Sequence, residues 1–416
     1  MPADPSSSIL SGLSPLRAFG PLQQAETPQL LAYLATIHDP RHPRGRRHSL
    51  VTILAMAAAA VLTGARSLAA IAEWIAATPQ PVRAALGARR QGPNCWAVPT
   101  ETTIRRALAR VDATVLADVI GAWLADRSGP DPPPTPGPGP GPGRQHAKHS
   151  RAVARAVAVD GKTLRGAKRD GRQVHLLAAM EHATRRVLAQ RQVDGAPGEV
   201  PGFQPLLADL DLAGAVVTAD ALHTHADAAE FLVAGKQAHY LFTVKDNQPT
   251  LRKRCAGLPW HRVPVLDRTR DQAHGRIETR TLKAVTVNHF GFPHAAQVVQ
   301  VTRKTRALHG SPRRWRSVTA YAITSLPFAQ ARPARLADLI RGHWAIENGL
   351  HYVRDVTFAE DSSQIRTGAA PQVMACLRNL VIGVLCRAGP VNLAAAFRHQ
   401  ARDPLRPLIT LGITLG

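Results

Sequence analysis

The sequence predicts an α/β protein in which a helical N-terminal region precedes a larger domain of strands and helices. From about Pro28 to Ser128, apolar residues recur throughout at the spacing of amphipathic helices. Beyond Ser150 the pattern changes to short, β-branched runs that are separated by turn residues and by further helical segments. This change of pattern indicates two differently built parts.

A Pro- and Gly-rich stretch, SGPDPPPTPGPGPGPGRQHAKHS, separates the two parts. Proline cannot donate to a backbone ladder, and alternating Pro and Gly keep the chain solvated. We therefore place the predicted domain boundaries where the amino-acid composition changes. The predicted segments are a flexible N-terminus (1–27), an all-helical domain (28–128), a linker (129–150), an α/β domain (151–390) with a β-rich insertion at about 260–326, and a helical tail (391–416).

The chain is strongly basic. Its 416 residues include 52 Lys and Arg but only 29 Asp and Glu, which gives a formal net charge of +23. Such an excess of cations indicates a polyanionic partner, most often nucleic acid. The base composition of an Ala- and Arg-rich gene would explain some of the arginines, but it would not explain the scarcity of carboxylates.

Other features favour a cytoplasmic protein without a membrane partner. The cysteines form no C-x-x-C pair, so we expect neither a disulfide framework nor a zinc knuckle. The N-terminus lacks the basic segment and apolar run of a signal peptide. The apolar stretch from Leu50 to Ala65 is shorter than the roughly 20 residues that a membrane span needs, which predicts a buried helix.

Two segments of the helical region are candidate contacts to nucleic acid. The first is the loop PRHPRGRRHS, where the predicted contacts are Arg41, Gly45, Arg47 and His48. The second, VPTETTIRRALARVD, has a helix start at Thr100 or Thr102 and places Arg105 and Arg106 off its apolar face. A capped helix with exposed arginines is typical of a helix-turn-helix element, although an ordinary helix with a solvated basic face fits equally well.

Three carboxylates occupy positions from which a sheet and a helix can bring them together. Asp160 closes the strand RAVAVDGK, and Asp220 closes the buried strand AGAVVTADAL. Side chains at the ends of neighbouring strands meet at one edge of a sheet, and a helix carrying Glu347 can pack there. Oxygen-only ligation favours Mg²⁺ or Mn²⁺, and a cation offsets the repulsion among the carboxylates.

Each carboxylate also has a simpler interpretation. A single Asp at the end of a strand is most often a turn former or a helix cap. Glu347 alone could be a solvated charge on the helix HWAIENGLHYVRDVTFAED, which runs from His343 to Asp361. On that helix, steps of three and four residues place Glu347, His343, His351 and Arg354 on one face.

A zinc site is a second possibility for the same helix. His343, Glu347 and His351, with His223 and His225 nearby in sequence, are potential zinc ligands. However, an i to i+8 pair is separated by about 12 Å of helical rise, which is a long reach to one ion. The zinc interpretation is therefore the weaker one.

The motifs AVDGK, VVTADALHT and HWAIENGLHYVRDVTFAED resemble the three acidic motifs of the DDE transposases of bacterial insertion sequences, in particular the H-repeat-associated subgroup. The resemblance implies a ribonuclease H-like catalytic core with a β-rich insertion, preceded by a DNA-binding N-terminal domain. It implies that Asp160, Asp220 and Glu347 are the catalytic and metal-binding residues. Lys162 and Arg354, the latter seven positions after the Glu, are implied as phosphate contacts.

The resemblance also has a gap. Related enzymes often have Tyr and Arg seven and four positions before the Glu, whereas this chain has Ile340 and His343. Arg341 lies nearby and could take over the role of the arginine.

The function implied is metal-dependent cleavage of DNA at insertion-sequence ends, followed by strand transfer into target DNA. The implied cofactor is Mg²⁺ or Mn²⁺. The implied partners are the terminal inverted repeats, target DNA and a second copy of the chain in a synaptic homodimer. The alternative is a catalytically inactive or domesticated, sequence-specific DNA-binding protein, which the basic N-terminal region suits as well.

Overall fold

A computed structural model describes residues 29–128, 155–169, 171–273, 275–308, 314–387 and 392–415. The predicted flexible N-terminus (1–27) and the predicted linker (129–150) lie outside the described residues.

Helices dominate the described residues up to position 128. They are α1 (Leu30–Leu34), α2 (Leu50–Leu62), α3 (Leu68–Ala77), α4 (Gln80–Ala85), α5 (Glu101–Leu108) and α6 (Ala113–Ser128). A short hairpin of β1 (Arg89–Gly92) and β2 (Cys95–Ala97) lies between α4 and α5, so the prediction of an all-helical domain is wrong here. Asn94 closes the hairpin with a φ of 52°, a conformation that Asn tolerates in tight turns.

The apolar segment that begins at Leu50 is a buried helix, as predicted. Ser49 caps α2 by accepting a hydrogen bond from the backbone N–H of Thr52 at 3.1 Å. Eleven of the thirteen residues of α2 are apolar and buried in the core. The helix therefore has few polar side chains that must be exposed to solvent. Among the described residues, no helix is long and apolar enough to cross a membrane.

A nine-stranded mixed sheet organises the rest of the described chain, in the order β5-β4-β3-β6-β7-β11-β10-β9-β8. The strands are β3 (Ala156–Arg169), β4 (Arg172–Glu181), β5 (Val187–Val193), β6 (Val216–Ala219), β7 (His239–Val244), β8 (Asp267–Ala273), β9 (Arg276–Thr286), β10 (Gln297–Ala307) and β11 (Arg316–Thr324). The three central strands β3, β6 and β7 are parallel, and the other pairs are antiparallel.

The strands β8 to β11 lie within the range predicted for the β-rich insertion. They extend the central sheet, because β11 pairs antiparallel with β7 from Tyr321 opposite Val244 to Thr324 opposite Leu241. The insertion and the central strands therefore share one continuous hydrogen-bonded ladder.

Helices cover both faces of this sheet. They are α7 (Glu199–Leu207), α8 (Ala226–Glu230), α9 (Pro249–Ala256), α10 (Pro333–Ile346), α11 (Ala370–Leu385), α12 (Leu393–Ala401) and α13 (Leu405–Leu411). Alternation along β3 assigns the faces, since side chains of a strand point to opposite sides in turn. Val157 and Val159 pack with α7, α8 and α9, whereas Ala158 packs on the opposite face with α11 and the segment that follows α10.

The N-terminal helices share a core with the sheet. One apolar cluster contains Leu54 of α2, Trp123 of α6, Met180 of β4 and Leu377 of α11. Because these side chains pack against one another without a solvent layer, we expect the two regions to unfold together.

Replacing Leu377 by Ala should test this shared core. Leu377 is only 1% exposed, so the cavity should lower the free energy of unfolding by about 2–5 kcal/mol. Hydrogen exchange followed by mass spectrometry should show that protection falls in peptides of both α2 and β4. Ile409→Ala is the control, because Ile409 is 62% exposed. Loss of protection confined to one region would contradict a common core.

Candidate active site

The two aspartates of the sequence motifs lie side by side at one edge of the parallel strands. Val159 of β3 pairs with Ala219 of β6, so Asp160 and Asp220 are the next residues along two adjacent strands. Neighbouring strands are roughly 4.8 Å apart, and alternation points both side chains toward the face that carries α10. The structure therefore brings Asp160 and Asp220 together, as the sequence predicts.

Asp220 also caps a turn. Its Oδ1 accepts a hydrogen bond from the backbone N–H of Leu222 at 2.8 Å, which begins the 3₁₀ turn Ala221–His223. The interpretation as a helix cap is therefore correct as far as it goes. A carboxylate offers several acceptor positions, so the cap does not prevent a further ligand.

Glu347 follows directly after α10, where the helix changes its winding. Two π-helical turns, Glu347–His351 and Val353–Thr357, replace the regular helix that the sequence predicts from His343 to Asp361. A π turn has about one residue more than a regular helical turn, so side chains four apart still share a face, but a side chain seven positions after Glu347 points to the other side. Glu347 and His351 face the aspartates, while Arg354 turns into the protein interior.

The three carboxylates lie within electrostatic reach of one another. Burial raises the pKa of Glu347, the negative charge of Asp160 raises that pKa further, and Asp220 adds a smaller effect in the same direction. His351 opposes this effect and places its Nδ1 3.3 Å from Oδ2 of Asp160, and Lys245 also opposes it. The cluster is thus a site of unfavourable negative charge.

A hard divalent cation suits this donor set. Carboxylate oxygens are the ligands that Mg²⁺ and Mn²⁺ prefer, and positive charge would relieve the repulsion that raises the pKa of Glu347. Within the described ranges, no three His, Cys, Asp or Glu side chains already surround a single point closely enough to hold an ion. The carboxylates of Asp160, Asp220 and Glu347 therefore lie near one another, but they do not form a complete coordination shell.

The zinc interpretation finds no support. The Nδ1 of His343 lies 3.1 Å from Oγ1 of Thr218, and the Nε2 of His223 lies 3.2 Å from Oε2 of Glu199. By strand alternation these contacts lie on opposite faces of the sheet. The two histidines therefore do not converge on one point.

His343 fixes α10 to the sheet beside Glu347. Thr218 bridges His343 and His182, whose Nε2 lies 2.9 Å from the same Oγ1. Burial lowers the pKa of His343 and lowers that of His182 to about 3, so both rings are uncharged at neutral pH. A Cβ on Gly342 would lie 2.1 Å from Nδ1 of His182, so only glycine allows this close approach. Where the motif resemblance implies an arginine, this chain thus has a buried packing contact.

Arg354 is not available to DNA, which corrects the prediction of a phosphate contact. It is fully buried, and its Nε donates to Oε2 of Glu360 at 2.9 Å. The Nη1 of Arg378 donates to the other oxygen of Glu360 at 2.6 Å. The chain returns to make this contact through Ala359, which has a φ of 50°. Arg354 therefore anchors the segment that carries Glu347.

Lys162 is likewise occupied by protein partners rather than exposed for phosphate. Its Nζ lies 2.5 Å from Oδ1 of Asp355 and 3.9 Å from Oδ1 of Asp361, and the residue is 8% exposed. These pairs correct the predicted phosphate contact. Asp355, Glu360 and Asp361, the other acids that follow Glu347, all have cationic partners, so they are less available than Glu347 to bind a cation.

The basic loop divides into buried and exposed positions. Arg41 is 8% exposed, with its Nη2 2.7 Å from Asp39 and 2.8 Å from the carbonyl oxygen of His48, so it is not a free cation. Gly45 ends a 3₁₀ turn and can offer only its backbone. Burial and the nearby Arg89 lower the pKa of His48, so this position is uncharged at neutral pH. Only Arg47 of the four predicted contacts presents an exposed charged side chain.

The helix α5 keeps its predicted form. Thr100 is the cap, accepting from the backbone N–H of Thr103, and Arg105 and Arg106 are exposed. Arg105 forms an ion pair with Glu101 one turn earlier. A surface pair of this kind is weak, so Arg105 can exchange its partner for phosphate at low cost.

A cavity of about 340 Å³, lined by charged and aromatic side chains, opens beside Glu347, and sequence patterns did not reveal it. Among its lining residues are Asp220, Lys245, Arg280, Arg303, Trp344 and Glu347. The guanidinium of Arg280 lies 5.1 Å from the ring centroid of Trp344, and Glu278 holds both arginines through its carboxylate at 2.5 and 2.6 Å. Strands β6 to β11 and helix α10 all contribute lining residues, which is why no local motif marks the cavity.

Comparison with known proteins identifies the family. Residues 151–383 match the family described as "Transposase DDE domain", and residues 31–124 match "DDE_Tnp_1-associated". The chain belongs to the DDE transposase domain family. The resemblance inferred from the three acidic motifs is thereby confirmed.

Relatives from Escherichia coli extend over most of the chain. "Putative transposase YncI" of strain O157:H7 is 25% identical over 386 residues, covering 86% of this chain and 87% of the relative. "H repeat-associated putative transposase YhhI" of strain K12 is 25% identical over 397 residues, covering 91% and 96%. A solved piggyBac transposase synaptic complex with hairpin DNA overlaps with a TM-score of 0.37 at 10% identity, covering 89% of this chain and 76% of that chain.

The stability contributed by the ion pairs of Glu360 with Arg354 and Arg378 should decrease at acidic pH. Burial alone would raise the pKa of Glu360, but Arg354 and Arg378 outweigh burial and hold that pKa below its usual range. A lowered pKa contributes stability above the ordinary carboxyl pKa of about 4.5, and that stability is lost as the pH falls below it. Glu360→Gln should therefore cost about 3–5 kcal/mol at pH 7 and less at pH 4 in urea unfolding.

The matched control is Glu101→Gln, which removes an exposed ion pair and should cost less than about 1 kcal/mol at either pH. An equal cost of Glu360→Gln at both pH values would contradict the ionised, doubly paired carboxylate.

Proposed function

We propose that this DDE-family protein cleaves DNA at the ends of an insertion sequence and joins the released ends to target DNA. One observation carries the proposal. The parallel pairing of β3 with β6 sets Asp160 beside Asp220, on the face where Glu347 ends α10. The cations Lys245 and Arg280 in the cavity next to this carboxylate cluster suit a phosphodiester substrate.

Each acid has a defined part in this proposal. Asp160, Asp220 and Glu347 would hold Mg²⁺ or Mn²⁺ through their oxygens. The bound cation would supply the positive charge that favours attack on a phosphodiester. Lys245 faces Glu347 and lines the cavity with Arg280, so these two cations would position the phosphate groups of the DNA. The contact between Thr218 on β6 and His343 on α10 would fix the position of Glu347 relative to the two aspartates.

We further propose that the sheet core is ribonuclease H-like. Five strands in the order β5-β4-β3-β6-β7, with the last three parallel, support this assignment. The insertion of β8 to β11 between Asp220 and Glu347 is in the position that the motif resemblance implies.

The DNA partners follow from charge. The terminal inverted repeats would be bound by the N-terminal helices, where Arg47, Arg105 and Arg106 are exposed. Target DNA would approach the cavity between α10 and the β8–β11 strands. Two copies of the chain would be needed to hold two DNA ends at once, so we propose a homodimeric synaptic complex.

Removing one ligand should separate binding from cleavage. Asp160→Ala should bind DNA that carries the flanking inverted repeats as wild type does, yet nick it at least about a thousandfold more slowly with Mg²⁺, equivalent to about 4 kcal/mol. A gel-based nicking assay and an electrophoretic mobility shift measure the two properties. Asp209→Ala is the control, because the Asp209 side chain is 88% exposed.

Normal cleavage by Asp160→Ala would overturn the catalytic assignment. If wild type bound the repeats but nicked them no faster than Asp160→Ala does, the protein would be a non-catalytic DNA-binding member of the family.

The exposed arginines should carry phosphate contacts. Arg106→Ala and Arg47→Ala should each weaken binding uniformly across DNA sequences and reduce the slope of log K against log salt by about 0.9. Fluorescence anisotropy at several salt concentrations measures the slope. Arg402→Ala removes the same charge from the segment after α12 and serves as control. An unchanged slope in both N-terminal variants would contradict their role.

A further inference from the structure

A buried carboxylate lies behind the two aspartates, on the opposite face of the sheet. Glu199 is the first residue of α7 and is only 6% exposed. Its Oε1 lies 2.7 Å from Nε2 of His175, and its Oε2 lies 3.2 Å from Nε2 of His223. His175 in turn places Nδ1 2.8 Å from Oγ1 of Thr163. The result is a chain of hydrogen bonds from Thr163 through His175 and Glu199 to His223.

This chain joins the two strands that carry the aspartates. Thr163 is three residues after Asp160 on β3, and His223 is three residues after Asp220, at the end of the turn that Asp220 caps. Glu199 therefore ties together the backbone just beyond each aspartate. A change in the spacing of these two segments would have to break one of its hydrogen bonds.

Glu199 also contacts the motif directly. A Cβ built on Gly161 would lie 2.1 Å from Oε1 of Glu199 and 2.3 Å from its Cδ. Glycine at this position therefore leaves room for the carboxylate, which lies against the strand one residue after Asp160. Burial alone would raise the pKa of Glu199, but hydrogen bonds from His175 and His223 lower it to about 2, so the group is ionised at neutral pH.

We propose that Glu199 is a positioning residue that sets the separation of Asp160 and Asp220 and thereby their joint affinity for a divalent cation. The inference rests on the proposed function, since it assumes that the two aspartates hold a cation. Glu199 itself does not touch the cation, because it lies on the face of β3 toward which Gly161 points, and alternation turns Asp160 to the opposite face.

Glu199→Gln tests the inference with a nearly isosteric change. The amide keeps the volume but loses one acceptor oxygen, so one histidine contact is weakened. Supporting groups behind metal ligands typically contribute 10- to 100-fold to metal affinity. We expect the full-length variant to bind Mn²⁺ at least about tenfold more weakly than wild type, measured by electron paramagnetic resonance of free Mn²⁺.

Nicking should follow the same shift. The Mn²⁺ concentration for half-maximal nicking should rise by a similar factor, and saturating Mn²⁺ should restore most of the rate. This recovery distinguishes positioning from a direct catalytic role, because removal of a ligand in Asp220→Asn would not be rescued.

Glu181→Gln is the matched control. Glu181 is also buried and charge-paired, through Arg155 and Arg186, but it lies at the opposite end of β4 from His175. The Glu181→Gln variant should bind Mn²⁺ with an affinity within about twofold of wild type. If Glu199→Gln does not fold, His223→Gln removes one arm of the network and is expected to shift Mn²⁺ affinity in the same direction.

The outcomes separate the two proposals. Unchanged Mn²⁺ affinity in Glu199→Gln, or in His223→Gln where that variant is needed, overturns the positioning role while a cleaving wild type leaves the proposed function standing. An equal loss in Glu199→Gln and Glu181→Gln also overturns it, because the effect would then be general destabilisation. A wild type that neither binds Mn²⁺ nor nicks DNA overturns the proposed function and the inference together.

Discussion

The parallel pairing of β3 with β6 is the constraint on which the candidate site depends. It places Asp160 and Asp220 on adjacent strand ends, where two like charges repel each other. The apolar packing of Val157, Val159 and Val217 holds the two strands together against this repulsion, and polar groups add support around the aspartates. Glu199 braces the strands from one face, and Thr218 and His343 brace α10 from the other. The site is built by supporting contacts on both sides of a single sheet.

Buried charge performs a second supporting task. Arg354, Arg378 and Glu360 form a compact ionic group beneath the π-helical turns that follow Glu347. Two cations share one carboxylate there, so the removal of Glu360 would leave both guanidiniums buried without that partner. Such a group tolerates few alternative geometries, which suits a segment that must present Glu347 at a defined place. This ionic group therefore fixes the position of the π-helical segment and does not contact substrate. The sequence position of Arg354 alone had suggested a phosphate contact.

Local patterns predicted much of the fold because they depend on near neighbours. The buried helix that begins at Leu50, the buried strand before Asp220 and the cap at Thr100 all follow from apolar patterning or capping within a few residues. The π-helical turns did not follow, since their composition is that of an ordinary helix. The burial of Arg354 against Gln190 and the pairing of Lys162 with Asp355 also escaped prediction, because these partners are distant in sequence and are brought close only by the tertiary fold. Glu199 belongs to the same class, and its one local signal is the glycine after Asp160.

The net charge of +23 overstates what is available for DNA. Arg41, Arg354 and Lys162 are each drawn inward by an acid, so their charges are spent on the fold. Exposed cations remain on α5 and in the basic loop, far along the chain from Lys245 and Arg280 beside the carboxylates. In the proposed function, contacts to DNA ends and contacts to the reacting phosphate would therefore be made by different elements. The shared core of the N-terminal helices and the sheet is what would keep these two surfaces at a fixed distance during cleavage.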